Sequence, residues 1–403
     1  MAAALRRMST LCAQVRSVAL ASGRPLPDRS LATQAREEGP LVRLEHGAGG
    51  VSKMTLCRPK KLNSLSLPMI RELKERYDEL EKAGGGCCIL SGEGRALCAG
   101  GDVAEVREGV LEGNRAPADF FYEEYVLIYE IATLRERCGI VQIALWDGIV
   151  MGGGVGLSAH SPIRIATEKT MFAMPETLIG LFPDVGMTWA LSRLPAGAHV
   201  GLFLGLTGQR LGAADCVESG LATHYCPSDK LAEVEDRLRS LGNAGDLEAV
   251  SSVIKAVAGD AVADPKKAVL KPNAAAIERC FGGVASAEEI VARLEKEGCD
   301  WSKETLATLR LRSPTSVKVT LDAVQRHASI SFKEAFQMEY RMSQWCMRPQ
   351  PHSDFCEGIR AVLIDKDNKA NWLPAKLEDV SKERVEEFFA PLRPEHPKGE
   401  LVI

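Results

Sequence analysis

Residues 140–160 read IVQIALWDGIVMGGGVGLSAH, and they contain the unit from which the fold is built: a strand, a glycine turn and the start of a helix. Residues 140–146 are apolar except for Gln142, which is the length and make-up of a strand buried on both faces. Gly152, Gly153 and Gly154 then let the chain turn sharply before the apolar run resumes at Val155. This is the most apolar stretch of the chain, yet it holds Gln142, Asp147 and five glycines. One Asp near a bilayer centre costs roughly 2.5–3.5 kcal/mol, so a membrane span is excluded here.

The same grammar extends outward from this stretch. Upstream, residues 41–56 alternate as a hairpin should, with Gly47–Gly50 at the turn. After Pro68, the residues Met69, Ile70, Leu73, Tyr77 and Leu80 recur at helical spacing until Gly84–Gly86 stop them. Residues 87–90 read as a short buried strand, and 117–134 as a second helix. Downstream, strands are expected around 163–166 and 171–173. Strand and helix in alternation predict an α/β body with both sheet faces covered.

Beyond about Lys230 the pattern changes to long amphipathic helices at 231–241, 247–257, 287–296 and 332–346. The organisation expected is a catalytic core over 37–230 and a helical C-terminal region over 231–403 that packs on it, without repeats.

The chain has 403 residues, 45% hydrophobic and 26% charged, and a net charge of −4. The first 36 residues carry six arginines against the single Asp28, which leaves −9 on the remainder. An acidic body has no general attraction for phosphate backbones, so nucleic acid is not an expected partner. Wound as a helix, the opening segment would gather Leu5, Met8, Leu11 and Val15 opposite its arginines, as an organelle import sequence does. A mitochondrial destination is expected ahead of a plastid one, with residues 1–36 removed. The 12 cysteines form no C-x-x-C pair and read as reduced thiols. No histidine stands at metal-binding spacing and no G-x-S-x-G elbow is present, so chemistry must rest on carboxylates and backbone, with no metal and no cofactor.

Two glycine turns, at 97–102 (LCAGGD) and 151–156 (MGGGVG), each follow a strand and lead into a helix. Free amides there could together hold one developing oxyanion. The competing account is tight turns and close packing. In 172–186 (FAMPETLIGLFPDVG), Glu176 and Asp184 stand eight residues apart in an otherwise apolar stretch. Burial would raise such carboxyls toward neutral pH, where an acid or base is useful. Helix capping by Glu176 and an Asx turn at Asp184 are the plain alternatives.

These residues, with the 58–65 segment RPKKLNSL and 120–125 (FFYEEY), resemble the crotonase superfamily of acyl-CoA enzymes. The likeness runs from about residue 40 to 390, through 313–316 (SPTS), 338–341 (MEYR) and 357–367 (EGIRAVLIDKD). It implies a spiral of ββα units with a helical C-terminal region. It is nearest to a hydrolase branch, and implies cleavage of the 3-hydroxyisobutyryl-CoA thioester in valine breakdown, with coenzyme A a part of the substrate. It places oxyanion donors on the amides of Gly101 and Gly153, working carboxylates at Glu176 and Asp184, and a substrate-contacting acid at Glu124. It lays coenzyme A past Asn63, Leu65, Ala99, Gly101 and Asp102, with Lys60 or Lys61 near its phosphates.

A hydratase of this superfamily needs a second glutamate where this chain has Gly156, and typical hydratases have glycine where this chain has Asp184. Trp146 and Thr188 vary among relatives and leave the acyl preference open. The alternatives are a hydratase or isomerase of the same fold, and a non-catalytic homologue built into mitochondrial ribosomes. The superfamily forms trimers and hexamers, whereas a helical tail folded over its own body would leave a monomer.

Overall fold

A computed structural model of the chain describes residues 39–348 and 352–403. The expected import segment, 1–36, lies outside the described residues. The predicted hairpin is β1 (Val42–His46) paired antiparallel with β2 (Val51–Leu56). Helix α1 (Leu67–Ala83) starts after Ser66 with Pro68 in its first turn, where a missing N–H costs nothing. It buries the five predicted residues and stops at Gly84, whose φ of 66° suits glycine.

From there the chain winds as a spiral, each turn adding one strand to each of two sheets. β3 (Cys87–Gly92), β5 (Val141–Trp146) and β7 (Ile163–Ala166) extend the large sheet. β4 (Ala96–Cys98), β6 (Ile149–Met151) and β8 (Met171–Ala173) form the small one. With β9 (His224–Tyr225), the strand orders are β1-β2-β3-β5-β7-β9 and β4-β6-β8, parallel throughout except for the hairpin.

Alternation along the strands sends side chains to two cores. Cys88 and Leu90 join the main core with α1, while Cys87 and Ile89 face a second one. That second core is closed by the helices Leu231–Arg239 and Leu247–Ala258, so the large sheet is covered on both faces. Gln142, a polar residue inside β5, is fully satisfied: it accepts from the Tyr77 hydroxyl and donates to the Leu157 carbonyl and Ser161.

Three helices border the cavity described below, α2 (Val103–Glu112), α3 (Ala116–Ala132) and α4 (Gly153–Ala159), and α5 (Met187–Leu191) follows the turn after Asp184. Further along, α6 (Pro314–His327), α7 (Phe332–Cys346) and α8 (Asp354–Ile359) come back onto them. The expected helix over 332–346 is α7 to the residue, opened by a capping box between Ser331 and Glu334. α8 packs on the 3-10 turn Glu176–Ile179 so tightly that a Cβ at Gly358 would stand 2.5 Å from Ile179 Cα. Residues Leu41–Ile403 form one unit.

Candidate active site

Both glycine turns end at a helix start, and both leave an amide unused. Leu65 donates to the Gly100 carbonyl and accepts from the Asp102 amide, which pins the first turn and leaves the Gly101 N–H facing outward. Arg58 steadies the same turn through an ion pair with Asp102 at 3.0 Å. In the second turn Gly152 takes φ 48°, which only glycine adopts cheaply, and Gly153 opens α4. Gly154 lies so close to Cys98 that any Cβ would collide with it, which brings the two turns side by side. A Cβ built on Gly153 would stand 3.6 Å from the Gly101 nitrogen. Among the described residues no acceptor takes the N–H of Gly101 or Gly153. Two free amides aimed at one small space are the geometry of an oxyanion hole.

Around that space lies a cavity of about 310 Å³. It takes in Ala99, Gly101, Asp102 and Gly153 together with Glu124, Glu176 and Asp184, so besides Asp102, which is paired with Arg58, three carboxyls share it with the two amides. Glu124 comes from the buried face of α3, and its Oε1 would stand 2.5 Å from a Cβ on Gly153. Glu176 begins the 3-10 turn. Its Oε1 would lie 3.1 Å from a Cβ on Gly152, and its buried Oε2 has no hydrogen-bond partner. A buried oxygen left unpaired in a wall of this kind is a group held ready for something that enters. Asp184 accepts a hydrogen bond of 2.8 Å from the Tyr125 hydroxyl.

Burial dominates the electrostatics of these acids. It pushes Glu124 and Glu176 well above the ordinary carboxyl range, and the like charge of Asp184 pushes both the same way. Burial also raises Asp184, but the Tyr125 hydrogen bond and its own backbone favour the anion and hold it at about 7. Carboxyls so close cannot all be ionised at neutral pH, so the cavity holds at least one proton to give and one carboxylate to take one.

The remaining expected contacts divide. Leu65 is fully buried behind the first glycine turn, and Ser64 reaches the wall in its place. Asn63 is also wholly buried, and its side chain is spent inside the protein. It accepts from the Arg58 amide and donates to the carbonyls of Glu93 and Ala96. Lys60 and Lys61 stand exposed. Neither Trp146 nor Thr188 borders the cavity. Trp146 is a core residue stacked on Phe172 and bonded to Ser158, and Thr188 is bonded to Glu339.

Three contributors were not foreseen from sequence. Tyr125 sits beside the expected Glu124. His160, whose Nε2 meets the Val185 carbonyl at 2.8 Å, props the turn that follows Asp184. Val362 and Leu363, on the π-helical turn Arg360–Ile364, supply an apolar lip to the cavity. The Tyr125 and His160 contacts join residues far apart in the chain, whereas the lip falls in a local apolar run, 361–364 (AVLI).

At Gly156 the structure bears directly on the chemistry. A Cβ there would stand 2.6 Å from Ile128 Cδ1 and 2.7 Å from Val185 Cβ, so no glutamate fits at that point of α4.

Known proteins resemble this chain along most of its length. A family model described as enoyl-CoA hydratase/isomerase matches residues 51–389. The mitochondrial 3-hydroxyisobutyryl-CoA hydrolase of Xenopus laevis is 42% identical over 362 residues, covering 88% of this chain and 90% of that protein. The human protein of the same name is 41% identical over 363 residues, covering 89% and 90%. Among solved structures, a carnitinyl-CoA dehydratase from Mycobacterium thermoresistibile superposes with a TM-score of 0.78 at 35% identity, covering 89% of this chain and 98% of that one. An enoyl-CoA hydratase from Rhodobacter sphaeroides gives 0.75 at 34%, covering 90% and 100%. With its double spiral of strands, its paired glycine amides and these relatives across nearly its whole length, the chain belongs to the enoyl-CoA hydratase/isomerase family and, within it, to the 3-hydroxyisobutyryl-CoA hydrolases.

Proposed function

We propose that this protein hydrolyses the thioester of 3-hydroxyisobutyryl-CoA, releasing 3-hydroxyisobutyrate and free coenzyme A in valine breakdown. The observation that carries the reading is the set of acids in the cavity. Glu176 and Asp184 face the glycine amides, while the position a second hydratase glutamate would need, Gly156, has no room for a side chain.

The thioester carbonyl lies between the amides of Gly101 and Gly153, which strengthen their hold as its oxygen becomes negative; one such donor is worth about 2.7–4 kcal/mol. Glu176, having yielded its proton to the neighbouring Asp184, meets the acyl carbon through its unpaired Oε2, either as base on a water or as a nucleophile that forms an anhydride which water then opens. The C–S bond breaks as the tetrahedral intermediate collapses, and the departing sulfur takes a proton from the acid cluster. Asp184, with Tyr125 at its side, carries that proton or orients the hydroxyacyl group, and Glu124 closes the acyl pocket. Coenzyme A leaves past Ala99 and Asp102.

In this reading water is the only co-substrate, and the carboxyls and backbone amides supply the rest of the chemistry. The relatives named as mitochondrial and the arginine-rich opening segment support a mitochondrial matrix location. No helix among the described residues is long and apolar enough to cross a membrane.

The test is free-thiol release from a panel of hydroxyacyl-CoA esters, run beside loss of the enoyl absorbance of crotonyl-CoA. Thiol release that is fastest with 3-hydroxyisobutyryl-CoA supports the reading. Hydration of crotonyl-CoA without thiol release overturns it in favour of a hydratase.

A further inference from the structure

The turn that presents Asp184 does not hold its shape unaided. Val185, a β-branched residue, sits at φ 56°, a left-handed conformation that such side chains rarely adopt, and Gly186 follows at 82°. A strained turn at a site persists only when its surroundings over-determine it. Most of that determination comes from the far end of the chain. Glu339 of α7 is fully buried, and its Oε2 accepts the Gly186 amide at 2.6 Å. Its Oε1 accepts the Thr188 amide at 3.2 Å and also meets the Thr188 hydroxyl, which touches His327 Nδ1 at 2.6 Å. Phe336, one helical turn before Glu339, closes the turn from the side: a Cβ at Gly186 would come within 2.5 Å of its ring.

A buried carboxyl group is a costly way to tie down a loop. Both oxygens of Glu339 are nevertheless committed to two residues just after Val185, Gly186 and Thr188, and none of its hydrogen bonds goes elsewhere.

We propose that Glu339 is the positioning residue for Asp184: from the C-terminal helix it holds the left-handed Val185 turn, and so sets where the Asp184 carboxyl meets Tyr125 and the acyl group. The inference rests on the reading that Asp184 serves the reaction. Glu339 itself is not among the residues that line the cavity.

Glu339→Gln in the full chain is the test. Glutamine keeps the size, but its amide nitrogen faces donors with a donor, so one of the two amides it held is released. The expected result is a fall in kcat of about tenfold to a hundredfold, the scale of a small misplacement at a reacting centre, with KM nearly unchanged. A crystal structure of the variant should show Asp184 away from the Tyr125 hydroxyl. In a Tyr125→Phe background the same substitution should cost distinctly less, because both act through Asp184. A merely structural residue would instead lower the melting temperature and cost the same in both backgrounds.

Unchanged kcat with Asp184 in place, or fully additive losses, would overturn the proposal. Should Glu339→Gln fail to fold, Thr188→Val removes only the hydroxyl and is read by the same cycle, with a smaller loss expected and additivity again fatal. If the wild type releases no thiol while the variant displaces Asp184, the hydrolase reading fails and this one stands. If the wild type is active and Asp184 does not move, the reverse holds.

Discussion

Gly153→Ala is the most direct test of the paired amides, because the added methyl lands where the acyl oxygen belongs. Gly153 opens α4 with an ordinary φ, so alanine suits its backbone and gains roughly 0.4–1 kcal/mol through the unfolded chain. The contacts are what suffer. The new carbon would stand 2.5 Å from Glu124 Oε1 and 3.1 Å from Leu65 Cδ1. Comfortable separations begin near about 3.5 Å, so Glu124 must retreat by roughly 1 Å. At 3.6 Å from the Gly101 nitrogen, the methyl also occupies the space the two amides would share. Losing one oxyanion donor costs about 10²–10³ in kcat, and that is the fall expected here. The entropy gain and the clash have opposite signs, so the melting temperature should shift by no more than about 4 °C. Steady-state thiol release over a range of substrate concentrations, with thermal unfolding alongside, measures both. A variant with kcat within about threefold of wild type would show that the carbonyl does not sit between these amides.

Three further outcomes are expected. Glu176→Gln should lower kcat by roughly 10²–10⁴ with an unchanged circular dichroism spectrum, and near-normal turnover would remove Glu176 from the mechanism. Folded Asp184 is raised to about 7 and Glu339 to about 8, so each contributes stability that is complete below its unfolded value and lost as pH climbs through the folded one. His327, buried, and His160 and His224, half-buried, are held near 4 by the loss of water around them and act in the opposite sense up to about pH 6.5. Between about pH 6.5 and 8 the acids therefore act alone, and urea midpoints should fall; Asp184→Asn should flatten that slope, and a rise would contradict the burial of these groups. Gly358→Ala should destabilise the fold by about 1–3 kcal/mol and slow thiol release, since α8 would be pushed off the 3-10 turn that carries Glu176; an unperturbed melting curve would contradict that docking.

Features written in local runs of sequence were legible from it. The glycine turns, the Glu176 and Asp184 pair and most helices could be read because each is a local pattern set by backbone freedom or helical period. The split into two sheets was not, because β4 and β6 are three residues long, too short for alternation to register, and β8, though read as a strand, carries no sign of which sheet it joins. Tyr125 on Asp184 spans 59 residues and Glu339 on Gly186 spans 153, distances over which no periodicity carries information. A trace of Glu339 exists nonetheless: it interrupts the buried face of α7 between Phe336 and Met342. A charge on an apolar stripe signals a partner without naming it. Asn63 has a role that no local pattern discloses: where the family likeness lays coenzyme A past it, its side-chain amide knits segments of its own chain together.

The apolar lip formed by Val362 and Leu363, and the docking of α8 beneath Glu176, have a genetic consequence. A late stop codon or frameshift that spared every acid of the spiral would still yield a polypeptide whose reaction chamber lacks one side. Lesions near the 3′ end of the coding sequence should therefore be as damaging as those that strike the carboxylates themselves.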